Sequence, residues 1–346
     1  MADVLRIGIV GAGANTKARH VPRLRAQKNV EIVGVCNRTV ESSTRAAADL
    51  GIPKVFRNWR ELVESPEIDA VLIGTWPYLH CPVTLTALDA GKHVLTEARM
   101  AMNAGEARLM LERSRQRPHL MTQVVPSPFT LKVDRTVQKL LAEGYLGTLL
   151  ALDVRANSPD LVDRNAPLHW RQDRDLSGLN ILTMGIWYEA IVRWVGEAQN
   201  VMATAQTVVR SRRDATGRLR SIAVPDHVDI LASMVCGAQA RFQFSGVTGF
   251  SPAPEVWLYG TEGTLRFKLA GESLLGARRG EPELKEIAIS TELAGGWRVE
   301  EEFVNAVRGQ ERVQLTTFED GLKYMQFTEA VNRSVSTRSS VTVQDI

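Results

Sequence analysis

Cysteine is scarce in this sequence of 346 residues. Only Cys36, Cys81 and Cys236 occur, far apart and odd in number. They form neither a CxxC pair nor a Cys/His cluster, so the spacing indicates neither a disulfide framework nor a zinc site. We therefore expect no bound metal and a protein of the reducing cytoplasm.

Long apolar runs are also missing. No stretch approaches the roughly 18 residues of a membrane-spanning helix. The N-terminus enters a β-like run at 4–10 without the apolar region of a signal peptide. Because 44% of the residues are hydrophobic and 23% are charged, the composition is that of a globular protein, for which we expect no membrane partner.

The sequence also lacks a strong excess of one charge, since its formal net charge is only +3. The densest basic run, 208–220, holds Asp214 and Gly217 between two β-like stretches, which indicates a solvated hairpin tip. A nucleic-acid patch is the alternative interpretation of this run. We favour the hairpin and expect no nucleic-acid partner.

Apolar β-like runs alternate with helical patterns over the first third of the chain. The expected strands are 4–10, 30–36, 70–75, 93–96 and 120–125. The expected helices are 17–28, 40–50, 58–64, 82–90 and 103–116. This alternation predicts an α/β domain over 1–125 with a doubly wound parallel sheet covered on both faces.

The pattern changes after residue 125. A helical stretch at 129–144, a strand at 148–156 and a helix near 179–196 precede several alternating strands between 200 and 290. Helices at 297–309 and 317–334 follow. This order is typical of an α+β domain, which we place at 126–346.

A glycine-rich turn follows the first strand. Gly11 is expected to make the tight turn, and Gly13 to let a pyrophosphate approach backbone N–H groups at the start of a helix. The third glycine of the dinucleotide fingerprint is missing: either Thr16 stands at its position, or the loop is one residue longer and Ala18 packs helix on strand. Together with Ala14 and Asn15, these residues predict a dinucleotide site.

The second strand ends in Asn37-Arg38-Thr39, where an NAD-binding protein would place an acid for the ribose hydroxyls. A guanidinium with amide and hydroxyl neighbours suits the 2′-phosphate of NADP(H). We therefore expect NADP(H) to be preferred, with NAD(H) as the alternative. In that alternative Arg38 stacks on adenine and either cofactor binds.

Four segments carry a family resemblance: "IGIVGAG" at 7–13, the stretch 69–103, "YGTEGTLRF" at 259–267 and "FEDGLKYMQFTEAVNRS" at 318–334. With these segments the sequence resembles, from end to end, the Gfo/Idh/MocA family of nicotinamide-dependent sugar and polyol oxidoreductases. The resemblance implies a Rossmann domain followed by an α+β domain with a large, mostly antiparallel open sheet. It also implies that the faces of this sheet form the substrate cleft and, commonly, a dimer interface.

The usual catalytic positions of that family are altered here. Family members read E-K-P where this chain has Glu97-Ala98-Arg99, and the lysine usually transfers the proton. Their aspartate and histidine, four residues apart on a helix, match Thr183 and Trp187, and the glycine run before them is reduced to Ser177-Gly178-Leu179. Since Arg99 replaces a proline that commonly follows a cis bond, we expect a trans Ala98–Arg99 peptide.

The proton relay must then come from elsewhere, and it is worth about 100- to 10,000-fold in rate. His169 is the first candidate, because an imidazole titrates near neutrality. Tyr188 is the second. Arg99 could hold a carboxylate or alkoxide, or be a surface arginine at a helix start. The further residues expected near the cofactor are Thr75, Trp76, Tyr78, His80, Glu97 and Ala98. His80 is also a candidate for proton transfer, although a structural role is its commoner use.

The leading hypothesis is an NADP-preferring oxidoreductase that acts on a carbohydrate-like or polyol substrate through an unusual proton relay. A catalytically silent cofactor-binding protein is the rival interpretation. A lyase or glycoside-cleaving enzyme with a tightly held nicotinamide cofactor is a third. From the resemblance we expect a homodimer or homotetramer formed through the C-terminal sheet.

Overall fold

The computed structural model describes residues 4–346, which fall into two compact units. Within the described residues, the first unit comprises 4–126 and Arg298–Leu322, and the second Ser127–Trp297 and Lys323–Ile346. The boundary after Pro126 lies one residue from the division expected on sequence. Arg298–Leu322, which the sequence pattern assigned to the second domain, belongs to the first, because Thr316 exchanges two backbone hydrogen bonds with Val124 (2.9 and 3.1 Å).

The first unit is a parallel sheet of six strands in the order β3-β2-β1-β4-β5-β6. The strands are β1 (Leu5–Val10), β2 (Val30–Cys36), β3 (Lys54–Val55), β4 (Ala70–Ile73), β5 (His93–Thr96) and β6 (Thr122–Val124). The helices are α1 (Val21–Arg25), α2 (Val40–Leu50), α3 (Trp59–Glu64), α4 (His80–Asp89) and α5 (Ala104–Arg115), with α9 (Val299–Val307) from the later segment.

Local sequence explains most of these elements. All four residues of β4 are buried, as expected for a central parallel strand covered on both faces. Asn58 and Asn103 begin α3 and α5 by accepting hydrogen bonds from backbone N–H groups three residues on, which satisfies donors that the helix leaves open. The expected doubly wound parallel sheet is therefore confirmed, whereas the two-residue strand β3 was not predicted.

The second unit contains a sheet of nine strands in the order β16-β15-β14-β13-β7-β12-β11-β8-β17. These strands are β7 (Leu149–Asn157), β8 (Ala198–Gln206), β11 (His227–Met234), β12 (Gln239–Ser245), β13 (Glu255–Gly260), β14 (Gly263–Lys268), β15 (Ser273–Arg278), β16 (Lys285–Glu286) and β17 (Val341–Thr342). The helices are α6 (Asp134–Ala142), α7 (Arg174–Ser177), α8 (Met184–Val195) and the part of α10 (Phe318–Thr337) that follows Leu322. Only β7 and β12 pair in parallel, so the expected large and mostly antiparallel sheet is confirmed.

The two faces of this sheet differ in composition. One carries the core, in which Phe242, Phe244 and Phe267 are each no more than 1% exposed. On the other face Met202 and Leu231 are register partners on β8 and β11, and their exposed fractions are 53% and 61%. The sheet is therefore open on one side of the described chain.

The basic run at 208–220 forms the hairpin of β9 (Ser211–Arg213) and β10 (Leu219–Ser221). Asp214 closes the turn by accepting hydrogen bonds from the backbone N–H groups of Thr216 (2.9 Å) and Arg218 (3.1 Å). The interpretation of this run as a hairpin tip is confirmed. Among the helices within residues 4–346, none is both long and apolar enough to cross a membrane.

Candidate functional site

The loop after β1 has the backbone shape of a phosphate-binding turn. Gly11 has φ +92°, and an added Cβ would lie 2.6 Å from Thr75 Cγ2 and 2.8 Å from the carbonyl carbon of Gly74. A side chain at Gly11 would therefore clash with the end of β4. Gly13 and Ala14 are exposed where a helical segment begins, and the first N–H groups of such a segment have no intrahelical acceptors.

Thr16 occupies the place of the missing third glycine. It is buried, and its hydroxyl donates to the Gly11 carbonyl at 3.2 Å. Gly74 makes the room, since a Cβ there would lie 2.2 Å from Thr16 Oγ1. The alternative in which Ala18 packs helix against strand is wrong, because Ala18 is exposed.

Two of the three residues expected to bind a 2′-phosphate are engaged in local structure. Asn37 accepts a hydrogen bond from Ala12 N at 2.7 Å and donates to Ser42 O at 3.0 Å, so it holds the phosphate loop. Thr39 is the N-cap of α2. Arg38 is exposed, and its guanidinium carbon lies 5.8 Å from the centroid of the Trp76 ring.

These residues fit a dinucleotide. The turn packs so closely on the backbone after β4 that a side chain at Gly11 is excluded, while the outer surface of Gly13 is left clear for a phosphate. Arg38 stands at the end of β2, where the adenosine half lies in this strand order. Ionic and stacking contacts with that half of the cofactor are the chemistry this arginine can supply.

A buried polar cluster lies beside the loop and was missed on sequence. His20 contacts Glu97 Oε1 through Nε2 at 2.9 Å and Glu300 Oε1 through Nδ1 at 2.6 Å. Asn15 also donates to Glu97 Oε1. The helical segment contains a π-helical turn, Thr16–His20. Because such a turn brings residues five positions apart together, Asn15 Nδ2 and His20 Nε2 lie 3.3 Å from each other.

The expected trans peptide between Ala98 and Arg99 is wrong: this bond is cis. The Arg99 carbonyl oxygen contacts His80 Nδ1 at 2.8 Å. The Arg99 side chain is 1% exposed and does not begin a helix, so the surface alternative is wrong as well.

His80 is fully buried, and its second ring nitrogen contacts the Thr75 carbonyl at 3.0 Å. Burial lowers its pKa despite the two carbonyl contacts. Because both nitrogens are occupied by backbone, His80 ties the Thr75 loop to the segment after β5. We withdraw it as a proton-transfer residue. Beside it, Tyr78 and Trp76 are half-buried, the former in the short turn Pro77–Leu79.

Tyr188, the second candidate relay, belongs to the core of the second unit. Its ring stacks on Phe327 with centroids 3.7 Å apart, and its hydroxyl accepts from Ala198 N at 2.7 Å. Burial raises its pKa. Trp187 likewise packs on Phe129 at 4.6 Å and is 1% exposed. Both side chains stabilise the fold, and Tyr188 is no longer a candidate for the proton relay.

His169 is exposed on a loop of the second unit. Its Nδ1 accepts from Arg171 N at 3.2 Å, which places the proton of the neutral ring on Nε2. Burial first, and then the charges of Arg171 and Arg212, lower its pKa. Arg212 fixes the preceding loop by donating to the carbonyls of Leu161 and Ala166 at 2.7 and 2.9 Å.

Comparison with known proteins decides the family. The profile described as "Oxidoreductase family, NAD-binding Rossmann fold" matches residues 5–124, and "GFO/IDH/MocA C-terminal domain" matches 135–266. The chain belongs to the GFO/IDH/MocA family. The expected enzyme class, a nicotinamide-dependent oxidoreductase, is confirmed by the family and by its named relatives.

Two curated relatives indicate the range of this family. Trans-1,2-dihydrobenzene-1,2-diol dehydrogenase of Sus scrofa is 29% identical over 247 residues, 70% of this chain and 68% of its own length. Levoglucosan dehydrogenase of Pseudarthrobacter phenanthrenivorans is 24% identical over 291 residues, 76% and 73% of the two chains. A structure of levoglucosan dehydrogenase with NADH and L-sorbose shares the fold, with a TM-score of 0.84, 21% identity and 99% coverage of both chains.

Proposed function

We propose that this protein transfers hydride between a nicotinamide cofactor and a secondary hydroxyl or carbonyl of a cyclic polyol, sugar or vicinal diol. The observation that carries this is the phosphate loop, where Gly11 and Gly74 let two backbone segments pack too closely for side chains and the exposed Gly13 presents bare backbone at the start of a helical segment. The substrate class is supported by relatives named for a cyclic diol and for levoglucosan. Bound NAD(P) would supply the hydride acceptor.

The test is a survey of cyclic diols, anhydrosugars, polyols and keto-sugars with either cofactor, in both directions, following the absorbance of the reduced nicotinamide. Turnover on a member of these classes is the expected result. Binding of the cofactor without turnover on any of them would favour the catalytically silent alternative.

For the proton we propose His169. The hydrogen bond from Arg171 N leaves Nε2–H as the outward donor, which suits a substrate oxygen. To accept the proton of a substrate hydroxyl at Nε2, the ring must first shift its own proton to Nδ1, which releases the contact with Arg171 N because a protonated Nδ1 cannot accept a hydrogen bond. The lowered pKa keeps the ring neutral near pH 7, as a proton acceptor in alcohol oxidation must be.

His169→Ala should lower kcat by at least about 100-fold while cofactor affinity stays nearly unchanged. His119→Ala is the matched control, because His119 is an exposed histidine of the first unit that lies outside the phosphate loop. Undiminished turnover of His169→Ala would refute the assignment.

We propose a preference for NADP(H), which now depends on Arg38 alone. Its exposed guanidinium can pair with a 2′-phosphate, whereas Asn37 and Thr39 are held by the loop and by α2. Arg38→Ala should weaken NADP(H) binding by about tenfold or more and NAD(H) binding much less. A clear preference of the unmodified protein for NAD(H) would defeat the proposal.

We also propose self-association through the open sheet face, as a homodimer or homotetramer. The exposed pair Met202 and Leu231 lies on this face next to Arg241, the register partner of Leu231 on β12. Neighbouring apolar side chains exposed on a sheet are typical of a surface that is buried by a protein partner. Light scattering should give at least a dimer, and Leu231→Glu should reduce the mass towards that of one chain.

A further inference from the structure

Glu97, His20 and Glu300, here called the Glu–His–Glu triad, form a continuous chain of short contacts within the first unit. His20 is 0% exposed and Glu300 1%, whereas the Glu97 side chain keeps 15% exposure. The chain thus runs from a sealed interior carboxylate through an imidazole to a carboxylate that reaches the surface of the sheet edge.

With both carboxyls and the imidazole ionised, the triad has a formal net charge of −1. Burial would lower the pKa of His20, but the hydrogen bonds and charges of Glu300 and Glu97 outweigh it and raise the pKa from 6.5 to about 9. Burial would raise the pKa of Glu97, but His20 and Asn15 hold it below its ordinary value. His80, the other titratable neighbour of Glu97, also lowers the pKa of that carboxyl, while burial lowers the pKa of His80 itself.

The position of Glu97 relates this charge to the cofactor. In a sheet of this order the dinucleotide lies across the carboxyl ends of the strands, with adenosine on the β2 side and the other half over β4 and β5. Glu97 directly follows β5, and Asn15 links it to the phosphate loop. Both of its hydrogen bonds fall on Oε1, so Oε2 is the oxygen left for an outside partner.

We infer that the Glu–His–Glu triad is the counter-charge of the nicotinamide ring, and that it strengthens binding of the positively charged oxidised cofactor relative to the neutral reduced form. His20 is a positioning residue in this arrangement, since it keeps the Glu97 carboxylate ionised and fixed through Oε1. The inference rests on the proposed function, because it requires a nicotinamide dinucleotide at this edge.

The expected effect follows from Coulomb's law. A unit charge about 5 Å from the ring, at an effective dielectric constant of about 20, changes a binding constant by roughly 100-fold or more. Exposure of the site to solvent makes the change in the binding constant smaller. Glu97→Gln brings the charge of the triad to zero. It should therefore raise the ratio of Kd for the oxidised form to Kd for the reduced form by at least about fivefold.

The experiment is calorimetric titration of the protein with NAD+, NADH, NADP+ and NADPH, without substrate. Glu67→Gln is the matched control, because Glu67 is an exposed carboxylate of the same unit that pairs with Lys54. This control should leave the ratio of the two Kd values unchanged. Glu97→Asp should retain much of the preference for the oxidised form. Equal effects of Glu97→Gln on both redox forms would overturn the inference while leaving the proposed function intact. Absence of binding by the unmodified protein would overturn both.

The positioning role of His20 has its own readout. In the unmodified protein the ratio should stay constant between about pH 5 and 8, because Glu97 is ionised throughout. In His20→Gln the Glu97 carboxyl loses its cation, so the preference for the oxidised form should weaken as pH falls through this range. A profile identical to that of the unmodified protein would exclude the role.

NMR of the imidazole groups in the cofactor-free protein provides a second measurement, and thermal unfolding verifies that each variant is folded. His20 should be protonated near neutral pH, and Glu300→Gln should lower its titration midpoint. An unchanged midpoint in Glu300→Gln would show that the contacts do not couple the charges, and would overturn the inference.

Discussion

Replacing Gly13 by alanine should separate cofactor binding from the stability of the fold. The φ of Gly13 lies outside the left-handed region, and an added Cβ would meet only the Gly74 carbonyl oxygen at 3.4 Å, an ordinary van der Waals contact. The free energy of unfolding should then be unchanged or raised by about 0.4–1 kcal/mol, since alanine restricts the unfolded chain.

Cofactor binding should respond in the opposite way. The new methyl group stands on the exposed side of the turn, where a pyrophosphate must approach backbone N–H groups. Losing one hydrogen bond to a charged phosphate costs about 1.5–3 kcal/mol. We therefore expect roughly 10- to 150-fold weaker binding of both nicotinamide cofactors.

The assay pairs calorimetric titration of NAD(H) and NADP(H) with urea unfolding of the same preparations. Gly249→Ala is the control, because Gly249 is exposed, has no positive φ, and an added Cβ would meet nothing within 4 Å. A Gly13→Ala variant that binds both cofactors as tightly as the unmodified protein would show that the pyrophosphate does not use this turn.

Three further outcomes are expected. In Gly74→Ala the new Cβ would lie 2.3 Å from the Gly11 carbonyl oxygen, so stability should fall by about 1–3 kcal/mol together with cofactor affinity, as unfolding and titration would report. Tyr188→Phe should cost about 1–3 kcal/mol, because the buried N–H of Ala198 loses its acceptor, yet leave kcat unchanged; a kcat loss on a stable variant would return Tyr188 to the mechanism. Since the pKa of His20 is raised from 6.5 to about 9, its contribution, of the order of 3 kcal/mol, is fully present below about pH 6.5 and should disappear as pH rises through about 9 in urea unfolding.

The architecture was accessible from sequence because it follows from periodicity. Buried runs such as 30–36 and 93–96 coincide with β2 and β5, and the 40–50 pattern coincides with α2. Strand pairing over long separations has no such local signal. Arg298–Leu322 joins the first unit through the backbone hydrogen bonds between Thr316 and Val124, which are 192 positions apart. The sequence pattern could not predict this pairing.

The candidate site was only partly accessible for the same reason. Gly11 and Gly13 carry a local turn signal, and their role in the loop was expected. Whether a polar side chain is available to a ligand depends on what surrounds it, and this reversed the expectation for Asn37 and Tyr188, which are occupied by backbone N–H groups. His20 was overlooked because its two carboxylate partners lie far away in the sequence.

The discontinuity of the first unit has a consequence for how the chain acquires function during synthesis. Residues up to Pro126 contain all six strands of the parallel sheet, but Arg298–Leu322 supplies the outer partner of β6 and the Glu300 carboxylate. A nascent chain that ends before this segment leaves His20 with one acid instead of two. The cofactor-binding half, although first to emerge, is therefore completed only after the whole second sheet up to β16 has been translated, which couples assembly of the two halves in time.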